Sequence, residues 1–390
     1  MDRRRVTVVG AGPAGLMAAE AAASSGASVT LVDQRRSFGR TLLLAGRSGL
    51  NLTHAEPLER FLDRYGEGRA LVEPAIRAFP PAAVRRWADG LGADTFAGSS
   101  GRVFPAAMRA TALLRAWTAR LADLDVEMRT STVWPGFDDP PVAHGGADAT
   151  VLALGGASWP SVGGNGSWTT AFETAGIDIA PLVASNAGVL APWSALMLER
   201  HEGTPIKNAA VSISGVTARG EPTLTATGLE GAPIYALGPE IRSALATGSA
   251  TIMVDLQPDR TIDGLGTHLA DRRRKKDSTS TWLRRAGFSR VSLDLLRDVT
   301  GNQIPTEPTL LAALLKALPI EVIGLAPIDR AISTAGGVTA HEVDATGQLR
   351  KRPGTWVAGE MLAWDAPTGG YLLQACLSTG RQAGLAAARG

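Results

Sequence analysis

The chain has 390 residues, 45% hydrophobic and 19% charged, with a formal net charge of +2. This composition excludes a disordered chain and supplies enough apolar residues for two or three packed domains. The near-neutral balance argues against nucleic acid or a membrane as the main partner, and one cysteine, Cys376, excludes an internal disulfide or a multi-cysteine metal site.

After MDRRR the chain enters VTVVGAGPAGLMAAEAAASSGASVTLVDQ, residues 6–34. That start leaves no room for a signal peptide's apolar segment, and no apolar run is long enough to span a membrane, so a cytoplasmic protein is expected. Val6, Val8 and Val9 predict a buried strand. Gly10, Gly12 and Gly15 then give GxGxxG where strand meets helix, with Pro13 and Ala14 between them. Gly10 permits the tight turn, Gly12 lets a pyrophosphate approach the backbone, and Gly15 lets helix and strand pack closely. Val29–Val32 predicts a second strand, with Asp33 at its end to accept hydrogen bonds from a ribose and Gln34 beside it. A dinucleotide is therefore expected here, with the pyrophosphate on the helix N-terminus.

Residues 34–57 show neither helix nor strand period, and a connection that long in a compact domain is usually functional. Leu58–Trp87 predicts short helices punctuated by Pro57, Pro74 and Pro80–Pro81, and Asp94–Pro105 predicts a hairpin turning at Gly98–Gly101. Ala110–Leu124 repeats at helical spacing and Val126–Val133 alternates as a strand. Ala149–Gly156 predicts another buried strand ending in glycines, followed by Trp159–Pro160, a loop at Gly163–Gly166 and a helix reaching Gly176. From about Ser185 to Gly238 the Thr, Ser, Val and turn-glycine content predicts a small β-barrel or sandwich, and Thr261–Leu318 is helical. RRRKK at 272–276 reads as a solvated run. The tail returns to α/β, with a strand at Thr355–Ala358, a glycine-flanked loop and a helix from Gly370. There is no internal repeat and no second GxGxxG unit.

Three separated segments then compose one expected cofactor site: GAGPAG with Asp33, the strand ending Gly155–Gly156, and TWVAGEMLAWDAPTGGYLLQA at 355–375. A nicotinamide-only dehydrogenase needs the first alone. A late strand ending Gly359–Glu360 suits a split FAD fold, where it would contact the ribitol and pyrophosphate.

GRTLLLAGRSGLNLTHAEP, GRVFP, LALGGASWPSVGGNG, STAGGVTAHEVD and VAGEMLAWDAPTGGYLLQA together resemble a bacterial FAD-dependent flavoprotein family. It includes the bile-acid (3-dehydro steroid) reductases and aminoacetone-oxidase-like proteins, within the two-dinucleotide-binding-domain superfamily. The resemblance implies an α/β fold: a split Rossmann-like FAD-binding domain at 1–184 and 331–390, with an inserted β-barrel and helical substrate domain at 185–330. It implies that Gly10, Gly12, Ala14 and Gly15 hold the pyrophosphate and Asp33 the adenosine ribose. Arg40 matches the basic residue after the second strand, Asn51 the Asn of the family's GRCNVTN stretch, and Val133 a position near the adenine. Gly49 and Leu50 stand where that stretch usually has Arg and Cys, so any function of those two is absent. Glu360 takes the late acidic position, and Gly370, Tyr371 and Leu372 match GGYN, with Leu372 replacing Asn.

The acid–base partner stays open. Tyr371 and His54 are the two candidates, each with packing as its alternative. His341 is a weaker one, and His144, His201 and His268 are expected in solvent. Asp365 is expected to cap or brace its loop, and Cys376 to pack as a small residue. Trp159, Trp168, Trp193 and Trp364 either line a flat apolar substrate pocket or pack in the core. No Ser–His–Asp order, metal-ligand spacing or Walker motif is present. The expected activity is hydride transfer from transiently bound NADH or NADPH, through FAD, to an unsaturated apolar small molecule. The alternatives are an amine-type oxidase using oxygen, an RNA-acting flavoprotein and a flavin-binding regulator without turnover.

Overall fold

In the computed structural model, which describes residues 3–47, 49–137 and 146–390, β1 (Arg5–Val9) is buried along all but its first residue. It turns at Gly10 into α1 (Pro13–Ser24), which begins on Pro13, where a missing N–H costs nothing. β2 (Ser28–Val32) follows. The unpatterned connection after it contains α2 (Arg40–Ala45) and β3 (Thr53–His54), elements of six and two residues that are too short to show a period. α3 (Leu58–Asp63), α4 (Arg69–Ala78) and α5 (Pro81–Asp89) occupy the proline-punctuated stretch. β4 (Phe96–Ala97) and β5 (Arg102–Phe104) form the hairpin, and β3 pairs with the far edge of β5.

α6 (Ala110–Asp123) leads to β6 (Glu127–Arg129), which is shorter than the expected 126–133 strand. Val133 lies beyond it and is 67% exposed. β7 (Ala149–Leu152), α7 (Thr169–Thr174) and β8 (Ile179–Ser185) complete this part.

The chain divides into two compact units, Met1–Ala184 with Ile332–Gly390, and Ser185–Ala331. The second unit runs β9 (Val189–Leu190), α8 (Ala195–His201), β10 (Ala209–Ile213), β11 (Val216–Gly220), β12 (Thr223–Thr225) and β13 (Gly228–Glu230). It continues through α9 (Ala232–Ala236), α10 (Gly238–Ala246), β14 (Ala250–Asp255), α11 (Ile262–Arg272), α12 (Thr279–Arg285), α13 (Arg290–Thr300), α14 (Pro308–Lys316), β15 (Leu318–Val322) and β16 (Gly324–Leu325). The expected barrel resolves into two four-stranded antiparallel sheets, ordered β11-β10-β14-β15 and β12-β13-β9-β16. Ser194, Thr261, Ser278 and Ser289 cap four of its helices through their hydroxyls. The basic run at 272–276 is exposed, with the Arg273 guanidinium over the Trp282 ring at 4.6 Å.

The return to the first unit brings β17 (Ser333–Val338), paired with β8, then β18 (Thr355–Val357) and α15 (Tyr371–Arg389). The central sheet is parallel throughout, in the order β18-β7-β1-β2-β6, so the tail supplies one edge strand. Among the described residues no helix is long and apolar enough to cross a membrane.

α15 lies directly on α1. A Cβ on Gly380 would sit 2.2 Å from the Ala14 carbonyl oxygen, and one on Gly384 would sit 2.2 Å from that of Ala18. Replacing an interior helix glycine by alanine ordinarily stabilises by ~1 kcal/mol through backbone entropy. At Gly384 the sign reverses, because two backbones must separate. Gly384→Ala is expected to cost about 2 kcal/mol in urea unfolding, and a gain in stability would show that the helices do not need this approach.

Candidate cofactor site

The first unit encloses a cavity of about 870 Å³, within the range of cofactor sites. Its walls come from the carboxyl ends of four parallel strands: Gly10–Ala14 after β1, Asp33–Arg35 after β2, Ala153–Gly156 after β7 and Ala358–Glu360 after β18. The chain leaves β1 toward β2 on one side and later adds β7 and β18 on the other. The cavity therefore lies at the switch point where open α/β sheets bind their ligands. Residues of α2 and its end from Arg40 to Arg47, the loop around Trp159–Asn165, residues 132–136, and Leu372, Leu373 and Cys376 add to the lining.

The glycines separate into two kinds. Gly10 has φ +96°, and a Cβ there would meet the Ala153 carbonyl oxygen at 2.2 Å; one on Gly15 would meet that of Gly10 at 1.7 Å. The chain itself requires these two. At Gly12 the backbone is extended, and a Cβ would meet nothing closer than the Thr41 hydroxyl at 3.4 Å. At Gly155 nothing lies within 4 Å, but its φ of +75° itself favours glycine. Protein packing does not demand glycine at Gly12, and its missing side chain leaves open space on the cavity wall. The first turn of α1 has amides without intrahelical partners beside that space, the arrangement that receives a pyrophosphate.

Asp33 borders the cavity with each carboxylate oxygen already accepting one backbone N–H at 2.7 Å, from Ala11 and from Arg35. This ties the glycine turn to the end of β2 and leaves each oxygen a further acceptor site for a ribose. The Gln34 amide donates to the Gly163 carbonyl at 3.2 Å and the Arg35 guanidinium to the Pro160 carbonyl at 2.6 Å, holding the Trp159–Gly163 loop against this wall.

Glu360 keeps part of its surface open to the cavity with protein packed around the rest. Burial pushes its carboxyl up to about 7, against the opposing effect of backbone hydrogen bonds from Thr334 and Gly156. Burial, with the Glu360 charge added, also pushes the Cys376 thiol well above its ordinary value, which keeps it protonated in the cavity wall.

Of the residues expected to contact the cofactor, Gly10, Gly12, Pro13, Ala14, Asp33, Gln34, Arg40, Val133, Gly155, Gly359, Glu360 and Leu372 border the cavity. Gly15, Asn51, Gly370 and Tyr371 do not. Gly370 is required by its φ of +101° and by Thr53, whose backbone would lie 2.5 Å from a Cβ. Asn51 holds its buried Oδ1 without a partner.

The two acid–base candidates meet each other outside this lining. The His54 and Tyr371 rings stack with centroids 5.5 Å apart. His54 bonds the Ser100 carbonyl through Nε2 at 2.9 Å and accepts the Glu56 N–H at Nδ1. The Tyr371 hydroxyl donates to the Glu56 carboxylate, which also pairs with Arg64 at 3.1 Å. Burial raises the Tyr371 hydroxyl, and its bond to Glu56 raises it further. Burial also pushes Glu56 up, but the bonds from Arg64 and Tyr371 outweigh it and hold the carboxyl below its usual range. Both side chains are thus engaged in a packed polar cluster that fixes the start of α15.

Trp159 and Trp168 border the cavity, the latter donating to the Gly155 carbonyl at 2.8 Å. Trp364 is a core residue bonded to the Gly359 carbonyl, and Trp193 belongs to the second unit, where it donates to Gly228. His201, expected in solvent, is instead buried against Asp294 at 2.9 Å, which a helical position in an isolated sequence does not reveal. His268 is half-buried on the Ala286 carbonyl, and His341 is exposed beside Asp178. His144 lies outside the described residues. Sequence reasoning missed every α2 residue of the lining except Arg40, and also Trp134, Ile332 and Leu373. The run TLLL in the long connection was the available signal.

A glycine cradle on β1, an acid closing β2 and two further strands delivering glycines and an acid to one cavity define a flavoprotein with a split FAD-binding domain, an FAD-dependent oxidoreductase. The chain belongs to the HI0933-like Rossmann-domain family, whose model matches residues 4–386. It is similar to the 3-dehydro-bile acid delta(4,6)-reductase of Clostridium scindens, at 25% identity over 98% of this chain and 99% of that protein. Among solved structures it is similar to a flavocytochrome c3 fumarate reductase in its open conformation (17% identity, 99% of this chain and 78% of that one, TM-score 0.49). It is also similar to a 3-ketosteroid-delta4-(5alpha)-dehydrogenase from Rhodococcus jostii RHA1 (15% identity, 99% and 97%, TM-score 0.46).

Two outcomes follow from this geometry. Gly12→Val should fold with an unchanged melting temperature in its flavin-free form, yet purify colourless with FAD affinity reduced by about a hundredfold or more; normal flavin content in that variant would remove the cradle assignment. For Glu360 the folded carboxyl titrates near 7 against an ordinary 4.5, so the folded state binds the proton more tightly. Its contribution to the stability of the flavin-free protein is complete below pH 4.5 and is lost as pH rises through 7, by no more than about 3 kcal/mol. Melting temperature against pH should be flatter for Glu360→Gln than for the natural chain.

Proposed function

We propose that this protein is an FAD-dependent reductase that takes a hydride from NADH or NADPH and delivers it to a carbon–carbon double bond of an apolar, polycyclic small molecule. The observation that carries the cofactor part is the open space at Gly12 in the switch-point cavity. In this reading Gly12 and Ala14 hold the pyrophosphate, Asp33 and Gln34 the adenosine ribose, Arg40 and Val133 the same end, and Gly359 and Glu360 the ribitol side. FAD, when bound, supplies the site that accepts and returns a hydride. The chain's own residues orient it, exclude water from its binding face and, at Glu360, present a carboxyl that is near half-protonation at neutral pH. The substrate class is supported by the full-length similarity to an enzyme named for reducing a bile-acid double bond. The nicotinamide would bind transiently, since the chain has one GxGxxG unit.

Anaerobic titration of the purified yellow protein with NADH and then NADPH tests this reading. One of the two should bleach the flavin, and a 3-oxo-Δ4 steroid added afterwards should restore the colour without oxygen. Flavin that neither nucleotide bleaches, together with stoichiometric peroxide from an amine substrate in air, would overturn it in favour of an oxidase.

A further inference from the structure

The first turns of α15 border the large cavity, and its later turns border a second one. We propose that this second cleft, of about 440 Å³, binds an elongated organic dianion, two anionic groups joined by an apolar stretch. The cleft runs between α15, the end of α4 at Ala78–Phe79, and the turn at Asp344–Gln348 with Trp356.

Arg381 and Arg389 stand on α15 two turns apart, about 12 Å along the helix. The Arg381 guanidinium lies over the Phe79 ring at 5.1 Å. Neither arginine is ion-paired to a carboxylate among the described residues. Arg4 brings a third guanidinium against Gly390 at the Arg389 end, with its Nε buried and unpartnered.

Several of the polar groups between these cations are satisfied by the chain. Trp356 donates to the Thr346 hydroxyl at 3.0 Å, Ser378 to the Phe79 carbonyl at 2.9 Å, and the Gln382 amide to the Ala345 carbonyl. Asp344 accepts the Thr346 hydroxyl at 2.7 Å and the N–H groups of Thr346 and Gln348 at 2.8 and 2.9 Å, all at Oδ1. Leu385 and Ala386, with Phe79 and Trp356, give the middle of the cleft apolar surface. A chain with a carboxylate at each end would meet a guanidinium at each end and hydrocarbon between them.

Calorimetric titration of the FAD-loaded protein with sebacate, a ten-carbon dicarboxylate, tests this. Sebacate should bind saturably at one site. Arg381→Ala and Arg389→Ala should each weaken it by about tenfold or more, the loss expected for one charge-assisted hydrogen-bonding partner. Decanoate, with one anionic end, should bind weaker by a similar factor, and succinate, too short to bridge, should not saturate. Flavin content and melting temperature of both variants report that the unit is intact. No saturable sebacate binding, equal affinity for succinate or decanoate, or indifference to both substitutions would each overturn the proposal.

Discussion

Backbone-to-backbone approach at positions where a side chain is not tolerated is the constraint on which the first unit depends. Gly10 against Ala153, Gly15 against Gly10, and Gly380 and Gly384 against α1 all bring main chains closer than a Cβ allows. These approaches stack three layers, β7 beside β1, α1 over the sheet, and α15 on α1. Any one of them relaxed by an ångström would shift the N-terminus of α1 relative to the ends of β7 and β18. The cradle and the late acid would then no longer face one cavity. The stability of this unit and its ability to hold a cofactor are therefore set by the same glycines, except at Gly12, where the backbone is extended and protein packing makes no such demand.

That distinction also explains how much was legible beforehand. The strand–turn–helix at 6–24, the acid at Asp33, the glycines after β7 and the return at 355–371 follow from local chemistry, and the parallel sheet assembles them as the pattern implies. What stayed hidden depends on tertiary contact. α2 is six residues long, so its apolar run looked like loop, although it provides a whole wall of the cavity. Tyr371 and Gly370 belong to a motif that borders the cofactor region in sequence, but their packing partners are Glu56, His54 and Thr53. Only the pairing of β3 with β5 brings those partners to the start of α15. His201 shows the same limit in the second unit, since its carboxylate partner lies 93 positions away.

The polar cluster at the start of α15 has a positional consequence. Tyr65 donates to the Tyr371 carbonyl at 2.7 Å, Gln374 bonds the Thr53 hydroxyl at 2.7 Å, and Tyr371 bonds Glu56. The first turn of α15 is thereby clamped from three sides, and Leu372 and Leu373 are presented to the cavity on a fixed backbone. Because position 372 is leucine, no side-chain donor is available there. Any influence of this helix start on a bound flavin would come from backbone amides, worth ~0.3–2 kcal/mol. For a two-electron couple that corresponds to on the order of 10–40 mV, an adjustment of driving force too small to be the source of catalysis. The larger share must come from holding substrate and flavin in register, and the clamp on α15 serves that end through rigidity, which a charge at Glu56 or Tyr371 would supply only indirectly.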